Sequence, residues 1–175
     1  MLCTSLGARL RAVAVTAALT GGVLAGTVGT TAGEAHAATT TTSTTTSQPT
    51  AAQVRAAKVD RVMTWTRNQH GKPYQYGAAG PSRFDCSGLV LYVFKHAIGK
   101  TLSHNAEAQY RASHHISRSN LRRGDLVFEV NSSGYAFHVG IYAGSGYIWH
   151  APHSGTVVKR VKMYHARWRY GRIIR

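Results

Sequence analysis

The hydrophobic period of this chain changes once along its folded part, from helical in the first half to alternating in the second. From Ala51 to His70 the apolar positions Ala52, Ala56, Val59 and Met63, joined by Val62, recur at helical spacing until Gly71-Lys72-Pro73 ends the run. The stretch CSGLVLYVFKHAIG, residues 86–99, is apolar almost all round, with Leu89, Val90, Val93, Phe94 and Ile98, and Gly99 stands where a helix is capped. That pattern predicts a buried central helix. A short third helix is predicted over Asn105 to Ser113. Beyond it the segments Asp125–Val130, Phe137–Ala143, Gly146–Ala151 and Thr156–Val161 are rich in Val, Ile, Tyr, Phe and Trp and are broken by Gly or Ser turns. Helices first and strands afterwards imply an α+β domain, its helices packed on one face of an antiparallel sheet. About 125 residues are available for it, enough for one core and too few for two.

The residues before this domain have a different character. Arg9 and Arg11 precede an apolar run from Ala12 to Val28, and small residues then lead to Ala35-His36-Ala37, so residues 1–37 read as an export signal cleaved after Ala37. A membrane-spanning anchor is the competing reading, and Gly21, Gly22, Gly26, Gly29 and several Thr make the run a poor span. Residues 38–50, ending TTTTSTTTSQPT, offer nothing apolar to bury and read as a disordered linker, which O-glycosylation could also explain. The folded domain is placed at 51–175, and a single small domain is expected to be a monomer.

Lys and Arg number 21 against 6 Asp and Glu, a net charge of +15. Losing Arg9, Arg11 and Glu34 with the signal leaves it near +14. Such a chain is drawn to polyanions. Export makes nucleic acid a poor candidate, as do the lack of zinc-finger spacing, of an aromatic nucleic-acid signature and of a Lys-rich arm. Anionic lipid and anionic polymers of the cell wall remain, beside the reading that the charge only solvates the surface.

Maturation removes Cys3 and leaves Cys86 alone, a thiol without an internal disulfide partner. It could be an inert buried thiol. Its place in the first turn of the central helix argues otherwise: unpaired N–H groups and the helix dipole favour negative charge there, and predict a pKa below the free value of about 8.5. A thiolate nucleophile needs a proton acceptor, and His is the usual one. In 137–143, alternation sends Phe137, Val139 and Ile141 to the core and His138, Gly140 and Tyr142 to the other face. A hairpin centred on Gly144 would pair His138 with His150, so that one takes the thiol proton and the other fixes its ring. Two rival readings stay open: idle sheet histidines, and a zinc site made by His138, His150 and His153. Pro152 breaks the ligand spacing and no carboxylate accompanies the set, so neither a metal nor another cofactor is expected.

The motifs PYQYG at 73–77, FDCSGLV at 84–90, LRRGDLVF at 121–128, HVGIYAGSGYIWHA at 138–151 and the terminal YGRIIR together resemble the NlpC/P60 cysteine peptidases, in family order from about Val59 onwards. The resemblance implies a papain-like fold, with Cys86 as nucleophile, His138 as general base and acid, and His150 as the orienting residue. It implies a secreted enzyme acting on peptidoglycan stem peptides, at the γ-D-glutamyl bond to the diamino acid. It also implies that Tyr74 helps the Cys86 backbone N–H hold the oxyanion, and that Asp85, with Ser87 beside it, meets a substrate amine. Both roles make chemical sense, since an oxyanion needs preorganised donors and an amine needs a carboxylate. Two positions depart from the pattern: Tyr76 stands where relatives often carry Trp, and His104-Asn105 where they commonly carry an Arg-Ser or Arg-Thr pair. A wall-binding module without turnover, and an amidase or acyltransferase using the same residues, are the other functional classes open to this fold.

Overall fold

The computed structural model describes residues 48–164 and 167–175. The export signal expected at 1–37 and residues 38–47 of the linker lie outside them. Three helices, α1 (Ala51–Arg67), α2 (Cys86–Ile98) and α3 (Ala106–Ala112), come first. Six strands follow: β1 (His114–Ile116), β2 (Leu126–Val130), β3 (Ala136–Gly144), β4 (Tyr147–His150), β5 (Lys159–Lys162) and β6 (Trp168–Arg172). They form one antiparallel sheet in the order β1-β6-β2-β3-β4-β5.

Each helix begins where its sequence supplies a cap. Thr50, the last linker residue, closes a capping box: its Oγ1 accepts from Gln53 N at 3.3 Å while its own N–H donates to Gln53 Oε1 at 2.7 Å. Asn105 caps α3 through Ala108 N at 2.9 Å. At its end α2 turns through Gly99, whose φ of 69° is left-handed as a glycine cap allows. Only the second half of α1 is seated, on Val59, Val62, Met63 and Thr66. Ala52 and Ala56, expected on the same buried stripe, are exposed.

The core lies between the helices and the sheet. Leu89, Val90, Val93 and Phe94 of α2 meet Leu126, Phe128, Val139 and Ile141 of β2 and β3, all of them fully buried. Burying side chains of this size contributes roughly 1.5–3 kcal/mol each, which makes α2 the axis of the domain. A smaller cluster of Val127, Ile148 and Trp168, with Tyr142, Val161 and Tyr170 against it, lies apart from that core.

Two irregularities correct the expected strands. Glu129 pairs with His138 but Val130 with Ala136, so Phe137 is an extra residue bulged out of the β2–β3 ladder. The bulge breaks the alternation, and Phe137, expected in the core, is 52% exposed. In the β3–β4 hairpin Ile141 pairs with Trp149 and Tyr142 with Ile148, a register centred on Ser145 and not on Gly144. Continuing that register sets His150 opposite Gly140, one diagonal step from His138. Two strands were not anticipated: β1, and β6, which enters the sheet between β1 and β2.

Candidate active site

The site forms where the first turn of α2 meets the start of β3. The 73–85 loop is stitched to the protein on both sides: Tyr74 N–H donates to Thr156 O and Phe84 N–H to Pro73 O, at 2.9 and 3.1 Å. Asp85 N–H donates to Ala78 O at 2.8 Å, and the loop then lies so close to α2 that a Cβ on Gly88 would stand 2.2 Å from that same oxygen. The glycine of the CSG motif is thus the residue that lets the loop reach the helix.

Asp85 is the N-cap of α2, and its carboxylate is saturated. Oδ1 accepts from Gly88 N at 2.7 Å and Ser87 Oγ at 3.1 Å, and Oδ2 accepts from Gly77 N at 2.9 Å. His104 Nε2 lies 3.0 and 2.8 Å from the two oxygens. His104 is the site residue that sequence reasoning did not assign, and the signal for it was its position in place of the relatives' Arg. Glu107 was also missed. Its Oε2 accepts from Ala136 N at 2.7 Å, a bond that holds its carboxyl below the usual range and fixes the entry to β3 two residues before His138.

Cys86 is half-buried at the first position of α2 and packs against the core. Its thiol lies within hydrogen-bonding reach of the Val139 backbone N–H, on the strand that carries His138. Burial pushes the thiol pKa up, the N–H groups of Val139, Ser87 and Cys86 oppose this, and the Asp85 charge adds to the rise. The depression expected from the helix terminus is therefore outweighed in the free protein. A thiol of this kind reaches its nucleophilic form by handing its proton to a base.

His138 Nε2 and His150 Nδ1 are 2.9 Å apart, their rings inclined at 73°. Both residues are buried, His150 to 2% exposure. Burial and the neighbouring His138 lower the His150 pKa to about 3, so it is neutral over the working pH range. Its Nε2 is buried with no hydrogen-bond partner among the described residues. One of the two facing nitrogens donates and the other accepts, and which does so depends on the tautomer. A neutral His150 with its proton on Nε2 would accept at Nδ1 from His138 Nε2 and leave His138 Nδ1 as a basic nitrogen. The bond between the rings orients the two imidazoles against each other.

Two clefts converge here. One of about 390 Å³ is lined by Tyr74, Tyr76, Asp85, Cys86, Ser87 and His104, among others, and one of about 250 Å³ by Tyr74, Cys86, Phe137, His138, His153 and Tyr164, among others. They meet at Cys86, Tyr74 and the bulged Phe137. Tyr74 is partly buried, and burial followed by the nearby Cys86 pushes its phenol pKa up, so it remains a donor. Among the described residues no three His, Cys, Asp or Glu side chains gather as metal ligands. His153 turns its Nδ1 to Ser154 O at 2.9 Å while His138 and His150 face each other.

A model of the NlpC/P60 family matches residues 71–173. The chain is 42% identical over 110 residues to the probable endopeptidase p60 of Listeria grayi, covering 63% of this chain and 21% of that protein. It is 40% identical over 114 residues to the peptidoglycan endopeptidase RipA of Mycolicibacterium smegmatis, covering 58% and 22%. The chain thus spans about a fifth of the length of these two relatives. Among solved structures, the P60 domain of an M. avium subspecies paratuberculosis antigen superposes with a TM-score of 0.63 at 29% identity, over 70% of this chain and 98% of that one. With the motifs, the sheet order and the family match in agreement, the chain belongs to the NlpC/P60 family.

Proposed function

We propose that this protein is a cell-wall hydrolase that cleaves an amide bond in peptidoglycan stem peptides with a Cys86–His138–His150 triad. The observation that carries this reading is the 2.9 Å contact between the His138 and His150 rings, in a cleft that Cys86 also lines. An inert thiol would not need a buried, hydrogen-bonded imidazole pair at its cleft. RipA of M. smegmatis, a relative by sequence, is named a peptidoglycan endopeptidase, which supports the substrate class.

In this mechanism Nδ1 of His138 takes the Cys86 proton as sulfur attacks the amide carbonyl. The resulting oxyanion is held by the Cys86 backbone N–H and the Tyr74 hydroxyl. His138 returns the proton to the departing amine, and water, activated by the same imidazole, hydrolyses the thioester. The bond cut is the γ-D-glutamyl bond to the diamino acid, and the protein works outside the cell as a monomer. With His104 Nε2 within hydrogen-bonding distance of both Asp85 oxygens, Asp85 lines the cleft of about 390 Å³ together with Ser87 and the tyrosines, where it meets a substrate amine.

The decisive experiment is mass analysis of muropeptides after digestion of purified peptidoglycan. Wild type should release fragments ending at the γ-glutamyl residue, and Cys86→Ala should release none while still binding the wall. An unchanged profile with wild type would make the protein a wall-binding module, and release of the whole stem peptide would make it an amidase. A Cys86→Ala variant that still cleaves would remove the triad altogether.

A further inference from the structure

A third cleft, lined by none of the triad residues, concentrates arginine. It has a volume of about 310 Å³ and is lined by Arg55 of α1, His114 of β1, Arg122 of the loop before β2, Arg172 of β6 and Arg175. Among the described residues the one acidic side chain tied into this cluster is Asp125, 1% exposed and already bonded. Arg172 grips it from two sides, Nε to Oδ1 at 2.9 Å and Nη2 to Oδ2 at 2.8 Å, and the Arg122 backbone N–H takes Oδ2 at 2.7 Å. Arg172 Nη2 also donates to Asn120 O at 2.7 Å.

Arg55 is left over. Its Nη2 stands 3.8 Å from Asp125 Oδ1, beyond hydrogen-bonding range, and is buried without an acceptor. Burial, then Arg172, and in smaller part Arg122, lower its pKa, against a partial rise from Asp125. A guanidinium stays charged in proteins, so Arg55 carries a buried N–H donor whose only compensation among the described residues is the 3.8 Å ion pair to a carboxylate already bonded to Arg172. Among the described residues the Arg122 side chain has no hydrogen bond or ion pair, and Arg55 and Arg172 share the one carboxylate of Asp125. This local excess lies on a protein whose net charge is already +15. Planar, forked guanidinium donors gathered in one concavity match the oxygens of a tetrahedral oxyanion.

We propose that the Arg55–Arg122–Arg172 cleft is an anion site that binds a phosphate group, supplied by the phosphodiester backbone of an anionic polymer. The site holds the protein to such a polymer through elements other than those that carry the cleavage residues. Arg172, locked on Asp125, is the fixed wall, and Arg55 and Arg122 are the arms that meet the phosphate.

The test measures binding of the full-length protein to poly(glycerol phosphate), to inorganic phosphate and to polyglutamate, all at one ionic strength. Two double variants are compared, Arg55→Gln with Arg122→Gln and, as a control of equal charge, Lys100→Gln with Lys162→Gln. The arginine pair should weaken poly(glycerol phosphate) binding about tenfold, and the lysine pair by less than threefold, with muropeptide release unchanged in both. Competition by inorganic phosphate for the same site would show that the phosphate group suffices. Phosphate binding without polymer binding would assign a free phosphate ligand in place of the polymer and overturn the polymer as its source. Equal weakening by both double variants would reduce the effect to bulk charge and overturn the proposal, as would polyglutamate binding as tightly as the phosphodiester. Should the arginine variant fail to fold, wild-type protein labelled at Arg Nε still decides. Phosphate at constant ionic strength must shift the Arg55 and Arg122 resonances, and no shift at either overturns the site.

Discussion

Continuing the Ile141–Trp149 register sets His150 opposite Gly140 and not opposite His138, yet its Nδ1 comes to 2.9 Å from His138 Nε2. The rings meet along the diagonal of the ladder, where neighbours stand further apart than directly opposed pairs and a long, directed side chain must close the gap. In the proposed triad His150 acts through His138 and does not touch substrate. His150→Ala should lower kcat by about a hundredfold to a thousandfold with little change in KM, within the range that general acid–base assistance contributes. His150→Asn, which keeps an acceptor oxygen, should restore much of it. Equal loss in both variants would mean that the ring only fills space.

The diagonal contact depends on the residue that separates the two histidines. A Cβ on Gly140 would stand 2.9 Å from Trp149 O and 3.4 Å from His150 Cβ. The backbone oxygen cannot turn away, so strand β4 must shift and carry His150 with it. Gly140→Ala should cost about 1–3 kcal/mol, as overpacking does, and lower activity more than tenfold at temperatures where the variant is still folded. Denaturant unfolding and muropeptide release measure the two effects, and full activity in a destabilised variant would separate His150 from catalysis.

His150 also gives the domain an acid-sensitive element. Its pKa is about 3 in the folded protein against about 6.5 when unfolded. Between those values the unfolded chain binds a proton that the folded one refuses, so stability rises with pH across the window. It is fully present above about pH 6.5 and is lost progressively as pH falls towards 3, by roughly 1.4 kcal/mol per unit. Unfolding free energies at pH 6.5 and 4.5 should differ by about 2–3 kcal/mol more in wild type than in His150→Asn. Identical pH slopes in the two proteins would show that the imidazole is not buried in its neutral form.

Much of this architecture could be read from residue types alone, and the parts that could not share a cause. The cap at Gly99 and the buried face of α2 follow from local chemistry, as does the parity that puts His138 and His150 on one side of their strands. What failed was register. The extra residue at Phe137 and the slip that recentres the hairpin on Ser145 are bulges set by how neighbouring strands pair, and no single segment encodes them. Strand β6 was missed because WRYGR alternates arginine with aromatic residues and reads as a charged tail until β1 and β2 flank it. The His104–Asp85 pair joins residues 19 apart in sequence, and only the departure at 104 from the relatives' Arg hinted at it.

That pair leads to the prediction on nucleophile chemistry. Asp85 is both the cap of α2 and a negative charge close enough to Cys86 to raise its pKa, so removing the charge while keeping the cap isolates the electrostatic effect. Asp85→Asn does this, because asparagine caps a helix about as well as aspartate. Without the carboxylate the thiolate loses a repelling neighbour, while the N–H groups of Val139, Ser87 and Cys86 that favour it remain. Cys86 should therefore alkylate with iodoacetamide several times faster at pH 7 than in wild type, with the midpoint of its rate–pH curve displaced to lower pH. A midpoint that stays fixed or climbs would mean that the Asp85 charge is already cancelled at the sulfur by its four donors, and that desolvation alone keeps the thiol protonated.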